Sequence, residues 1–171
     1  DCYFWGEGIR EDKREAVKWY LLAAGQGDAE AQRILGDCYS WGEGIREDKR
    51  EAVKWYRLAA EQGDAEAQRI LVDCYKRQGD CYFLGEGIRE DKREAVKWYR
   101  LAAEQGDAEA QRILGDCYFW GEGIREDKQE AVKWYRLAAE QGDAEAQRIL
   151  GACYYFGTGI REDKQEAVKW Y

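Results

Sequence analysis

The sequence has no histidine, no proline and no methionine; asparagine is also missing, and serine and threonine occur once each, at Ser40 and Thr158. Without an imidazole there is no Ser-His-Asp or Cys-His pair and no histidine-containing metal site. Without asparagine there is no acceptor for N-glycosylation. Long apolar runs are lacking too: none approaches the ~18 residues that cross a bilayer. No signal-peptide pattern opens the chain, which starts at Asp1 rather than Met and so reads as a processed or partial product. Positive charge is in deficit, with 27 Lys and Arg against 35 Asp and Glu and a formal net charge of −8. That balance argues against nucleic acid or an anionic membrane as the partner. Most catalytic chemistry is thereby removed, and the expectation is a non-enzymatic protein with no cofactor and no metal.

What is present is one motif written repeatedly. The segment 1–36, DCYFWGEGIREDKREAVKWYLLAAGQGDAEAQRILG, returns nearly unchanged at 37–72, 80–115 and 116–151, and a partial copy fills 152–171. Four units of 36 residues, an insert of 7 at 73–79 and a final 20 account for all 171. Hydrophobic residues make up 45% of the chain, enough to bury a core. A period of 36 lies in the range of two-helix solenoid repeats.

Each unit resolves into two helices. The first starts after Gly27 with Asp28 as N-cap, carries Ala31, Leu35 and Tyr39 at spacing four, and stops at Gly42 and Gly44. The second starts at Asp48, with Glu51 at N3, close to a capping box. Ala52, Trp55, Tyr56, Ala59 and Ala60 then fall at i, i+3, i+4, i+7 and i+8, one apolar stripe of a 3.6-residue period. No sustained period-two alternation occurs, so strands are not expected. Helices of about 13 residues are too short to hold alone, so neighbouring repeats must supply the core. The predicted architecture is an all-α, right-handed α/α superhelical solenoid of 36-residue helix-turn-helix repeats.

These residues resemble the Sel1-like repeat family, α/α solenoids related to tetratricopeptide repeats. The resemblance rests on Leu35, Gly36, Tyr39, Gly42 and Gly44, then Asp48, Ala52, Trp55, Tyr56, Ala59 and Ala60, then Gly63, Ala67 and Gln68. Arg46 stands where the family loop often has proline. The resemblance implies a scaffold that holds a protein or peptide partner in a curved groove. In some extracellular members a cysteine near the end of one helix pairs with one on the next; Ala24 and Ala31 occupy that neighbourhood here.

Cysteine occurs once per repeat and once in the insert, at Cys2, Cys38, Cys74, Cys81, Cys117 and Cys153. Cys38 falls on the packed face of its helix, and equivalent positions on stacked helices are too far apart for an unstrained bridge, so buried free thiols are expected. The run Gly42-Glu43-Gly44 joins two helices and carries a carboxylate where a phosphate would sit; it reads as a structural turn. The carboxylates of Glu47, Asp48 and Glu51 alternate with Arg46, Lys49 and Arg50 and read as a solvated loop.

Two repeating features are candidates for partner binding. One is the polar trio at i, i+3 and i+7 of the first helix: Glu30, Arg33 and Asp37; Glu66, Arg69 and Asp73; Glu109, Arg112 and Asp116; and Glu145 and Arg148 with Ala152. It is either surface ion pairing or a ladder that contacts a bound peptide. The other is the aromatic pair after the motif tyrosine: Phe4 and Trp5, Ser40 and Trp41, Phe83 and Leu84, Phe119 and Trp120, Tyr155 and Phe156. Its favoured reading is inter-repeat core; exposed, it would form an apolar docking patch.

The insert, DCYKRQG, spans two helical turns and keeps Leu71, Tyr75, Gln78 and Tyr82 on one side. A first helix lengthened over 64–84 is expected, with Gly79 a weak point costing about 1 kcal/mol relative to alanine, or a break there. With no polar capping unit at either end, head-to-tail self-association is a second expected behaviour. A single excised copy, 37–72, is predicted to show little helix and no cooperative melt by circular dichroism. A cooperative transition of that fragment would overturn the repeat-stacking argument.

Overall fold

The computed structural model of the chain describes residues 12–85 and 89–170. These residues hold nine α-helices and no strand: α1 (Lys13–Gly25), α2 (Ala29–Trp41), α3 (Lys49–Glu61), α4 (Ala65–Leu84), α5 (Lys92–Glu104), α6 (Ala108–Trp120), α7 (Lys128–Glu140), α8 (Ala144–Phe156) and α9 (Lys164–Trp170). The fold is that of an all-α repeat solenoid, in which α2 with α3 and α6 with α7 each form one hairpin. Two compact units, Asp1–Leu71 and Val72–Tyr171, divide the chain within α4.

Local chemistry sets the helix ends. Asp48 accepts the amides of Arg50 and Glu51 at 3.0 and 3.1 Å, and Asp12, Asp91, Asp127 and Asp163 do the same for their helices. The expected capping box is only half made. The Asp48 amide is already given to the Tyr39 carbonyl at 2.9 Å, and Glu51 turns to Lys54 at 2.6 Å instead. The other helix type opens on Asp28, Asp64, Asp107 and Asp143, each accepting one amide at 2.7 to 2.8 Å. All four of these helices stop at glycines in the left-handed region, Gly42, Gly85, Gly121 and Gly157, at φ of 69°, 73°, 71° and 69°. Two residues on, Gly44, Gly123 and Gly159 sit against the backbone carbonyls of Lys13, Lys92 and Lys128, with no room for a Cβ. The second glycine of each run is thus the place where a loop leans on the start of the helix before the one it follows, α1, α5 or α7.

Packing within each hairpin turns on one contact. Gly36 in α2 lies under the ring of Tyr56 in α3, Gly79 under Tyr99, and Gly115 under Tyr135. Each phenol then donates to the aspartate that follows its glycine: Tyr56 to Asp37, Tyr99 to Asp80 and Tyr135 to Asp116, at 2.8, 2.9 and 2.8 Å. The motif glutamines tie one hairpin to the previous helix. The Nε2 groups of Gln32, Gln68, Gln111 and Gln147 donate to the carbonyls of Ala24, Ala60, Ala103 and Ala139. Each is a second bond on a last-turn carbonyl that also accepts the amide of Gly27, Gly63, Gly106 or Gly142. The alanines and leucines of the stripe fill the interior, and Leu35, Leu114 and Leu150 are fully buried.

The insert lengthens α4 to 20 residues without a break. Gly79 takes the place that Gly36 and Gly115 hold in their hairpins, which corrects its reading as a mere weak point. A Cβ there would stand 2.6 Å from the Tyr99 ring, and the ring is pinned by its bond to Asp80. Helix propensity alone predicts that Gly79→Ala stabilises by about 1 kcal/mol. Overpacking, at about 1–3 kcal/mol, outweighs that gain, so thermal denaturation of Gly79→Ala should show a lowered Tm. A raised Tm would refute the contact.

Candidate functional site: a partner-binding groove

The polar trio does not form one uniform ladder. Arg33 reaches Asp37 at 3.4 Å and, one repeat on, the N-cap Asp64 at 3.5 Å; Arg112 repeats this with Asp116 at 3.5 Å and Asp143 at 3.6 Å. Arg69 and Arg148 instead pair with Glu66 and Glu145 on their own helices, at 2.5 and 2.6 Å. Ala152 leaves Arg148 no aspartate at i+4, and Asp73 lies exposed. Glu30 is exposed as well. Glu109 is exposed and accepts from Lys76 at 3.1 Å.

Lys76 was not among the residues expected to matter. It stands in the place of Arg33 and Arg112, bridging to the next N-cap, Asp107, at 3.2 Å. Aligning the insert 73–79 with 30–36 reveals the equivalence: Asp73 falls on Glu30, Lys76 on Arg33 and Gly79 on Gly36, with Asp80 following as Asp37 does. The trio that belongs with α5 is therefore Asp73, Lys76 and Asp80, and the earlier grouping of Asp73 with Glu66 and Arg69 joins two different hairpins.

The aromatic pair divides. Its first member packs in two copies, where Phe83 lies 6.2 Å from Tyr99, and Phe119 lies 6.3 Å from Tyr135 and against the core of its unit, whereas Tyr155 is exposed. Its second member is outside: Trp41, Leu84, Trp120 and Phe156 are 72%, 62%, 69% and 72% exposed. The expectation of a uniformly buried stripe is thus corrected, because neighbours in a helix point about 100° apart and only one can face the next hairpin. Phe4 and Trp5 lie outside the described residues. Each pair also carries a lysine ammonium from the start of the next helix, Lys49 over Trp41, Lys92 over Phe83, Lys128 over Phe119 and Lys164 over Tyr155, at 5.1, 4.8, 5.5 and 5.4 Å.

In the second unit the two candidate features meet. A groove of about 720 Å³ is bounded by Arg112, Asp116, Phe119 and Trp120 of α6 and by Arg148 and Phe156 of α8. Asp116 lies at its polar side, half-buried, and burial raises its carboxyl above the usual range against the opposing pull of Tyr135 and Arg112. Burial and the Asp116 carboxylate together push the Tyr135 phenol far up, so it stays a donor at any physiological pH.

Cys117 and Cys153 border the same groove but are buried, as is Cys38, while Cys74 and Cys81 are half-buried. Burial raises Cys38, Cys117 and Cys153 to about 11, about 12 and about 11. Such thiols are neutral and poor nucleophiles. Among the described residues no group of three or more Cys, Asp or Glu is placed to hold a metal ion. Iodoacetamide at pH 8 should therefore modify Cys74 and Cys81 well before Cys38, Cys117 and Cys153, with peptide mass mapping as the readout. Because the folded thiols bind protons more tightly than the ordinary value of 9.0, stability should be whole below about pH 8 and fall as pH rises toward 11. Rapid labelling of Cys117 in the folded protein would contradict this.

The Sel1 repeat matches the sequence at residues 1–28, 29–64, 77–107, 108–143 and 144–171. It leaves 65–76, the first part of α4, unmatched. No curated protein matches the sequence. Among solved structures, a protective antigen of uropathogenic Escherichia coli strains with an SLR fold is 39% identical over 99% of this chain, with a TM-score of 0.58. This chain spans 35% of that protein's length. A Sel1 repeat protein from Oxalobacter formigenes is 42% identical over 99% of this chain and 67% of its own, with a TM-score of 0.57. The chain belongs to the Sel1 repeat family, whose members generally act as protein-interaction scaffolds.

Proposed function

We propose that this chain is a non-enzymatic scaffold that seats a protein or peptide segment in the groove between α6 and α8. The observation that carries this reading is the exposure of Trp120 and Phe156 beside that groove, at 69% and 72%. Large aromatic side chains left in water next to a concavity are the type that dominate binding energy at interfaces. The polar groups around them, Arg112, Asp116, Glu145 and Arg148, are held by their own ion pairs and are already oriented. A peptide entering the groove therefore meets a preformed surface and does not have to order it. The chemistry of the chain supports the same reading: it lacks histidine, and three of its thiols are buried and neutral. No helix among the described residues is long and apolar enough to cross a membrane.

The test is selection of displayed random peptides on the intact chain, followed by binding titrations of the selected peptides. Trp120→Ala with Phe156→Ala removes exposed groups, so circular dichroism and Tm should stay near those of the parent. Affinity of the selected peptides should fall about tenfold or more. Undiminished binding to the double variant would place the binding surface elsewhere.

A further inference from the structure

The groove's lining points to the chemistry of its occupant. Six aromatic rings border it; Tyr99 and Tyr135 are buried behind Phe83 and Phe119, and Trp120 and Phe156 are open to an occupant. An aromatic face is a poor site for a carboxylate and a good one for a cation. The same stripe already binds cations within the molecule, since Lys128 sits over Phe119 at 5.5 Å and Lys164 over Tyr155 at 5.4 Å.

The charged lining has the matching sign. Three carboxylates, of Asp116, Glu122 and Glu145, face two guanidiniums, of Arg112 and Arg148. Glu122 is answered by Lys92 at 2.8 Å, and Glu145 by Arg148 at 2.6 Å. Arg112 is shared between Asp116 at 3.5 Å and Asp143 at 3.6 Å, both long for a charge-assisted bond. One cation thus serves two carboxylates, and the site is left with an excess negative charge centred on Asp116. The chain as a whole, at −8, adds a field of the same sign.

We propose that the groove takes a basic peptide side chain, lysine or arginine, with its methylene stem against Trp120 and Phe156 and its charged head toward Asp116. This rests on the scaffold reading above and narrows it to partners with a basic residue within an otherwise apolar segment. Long basic side chains suit such a surface, since the stem covers apolar rings while the head keeps polar contact. Burial raises the Asp116 carboxyl, in line with a negative charge that is under-compensated until a cation arrives.

Three fluorescent dodecapeptides probe the idea on the intact chain, alternating leucine with arginine, with glutamine or with glutamate, read by fluorescence anisotropy. The arginine peptide should bind at least about tenfold more tightly than the other two, and only its affinity should drop between low and physiological salt. Asp116→Asn should lose about tenfold for the arginine peptide and leave the glutamine peptide unchanged. Because Asp116 also holds Tyr135, the salt titration on the parent chain and Glu145→Gln, an exposed position, give a second measure that does not depend on that bond. If the glutamine or glutamate peptide binds as well as the arginine peptide and Trp120→Ala abolishes it, the basic-partner inference falls while the groove stands. Failure of all three to bind overturns the inference and counts against the groove as well. Binding of the arginine peptide that Trp120→Ala does not weaken is nonspecific charge attraction and overturns it too.

Discussion

The close approach of a glycine to a tyrosine ring is the constraint on which this structure depends. Gly36, Gly79 and Gly115 let Tyr56, Tyr99 and Tyr135 come up against the partner helix, and the adjacent aspartate then fixes each ring by its hydroxyl. Were the ring free, a methyl beneath it could push it aside; pinned at 2.8 to 2.9 Å, it sets the distance between the two helices. The alanines Ala59, Ala102 and Ala138 are fully buried. Structure and site are coupled through this contact, because Asp116, which pins Tyr135, is also the carboxylate at the groove.

Neighbouring hairpins share an apolar core, as α1 does with α2 and α7 with α8, and polar bonds are added to it. A glutamine caps the last turn of the helix before it, as Gln32 does for Ala24 and Gln111 for Ala103. A basic side chain reaches the next N-cap, as Arg33 does for Asp64 and Lys76 for Asp107. Bonds of this kind fix register as well as adding stability, since a slipped hairpin would leave the buried amides of Gln32 and Gln111 without their carbonyls. Exposed pairs such as Glu66 with Arg69 carry little of that weight.

The insert shows how a repeat array absorbs extra residues. Seven residues are two helical turns, so α4 continues with its packed side unchanged, and the second half brings its own copy of the glycine, the aspartate and the basic residue. Lys76 for arginine and Asp80 for the usual aspartate keep the contacts of α5 and α6 in the pattern of the other hairpins. In the sequence this is visible only when the insert is aligned on 30–36; read as an appendix to the unit before it, Asp73 is assigned to the wrong trio.

The helices, their caps and their repetition were all determined by the sequence itself. Those features depend on residues three or four apart: an aspartate with the amides two and three positions on, a glycine where φ must be positive, an apolar residue every third or fourth position. The local signals are complete within one unit and are written several times over. Which member of each aromatic pair stays in water was decided only by the tertiary structure. Phe119 and Trp120 are adjacent and equally apolar, and nothing in the string separates them; the position of Tyr135 on the next helix partly covers Phe119 and leaves Trp120 in water. The same holds for Asp116, whose i+4 pairing with Arg112 is readable from spacing, while its tie to Tyr135, 19 residues away, and its place in the groove exist only once the hairpin has closed.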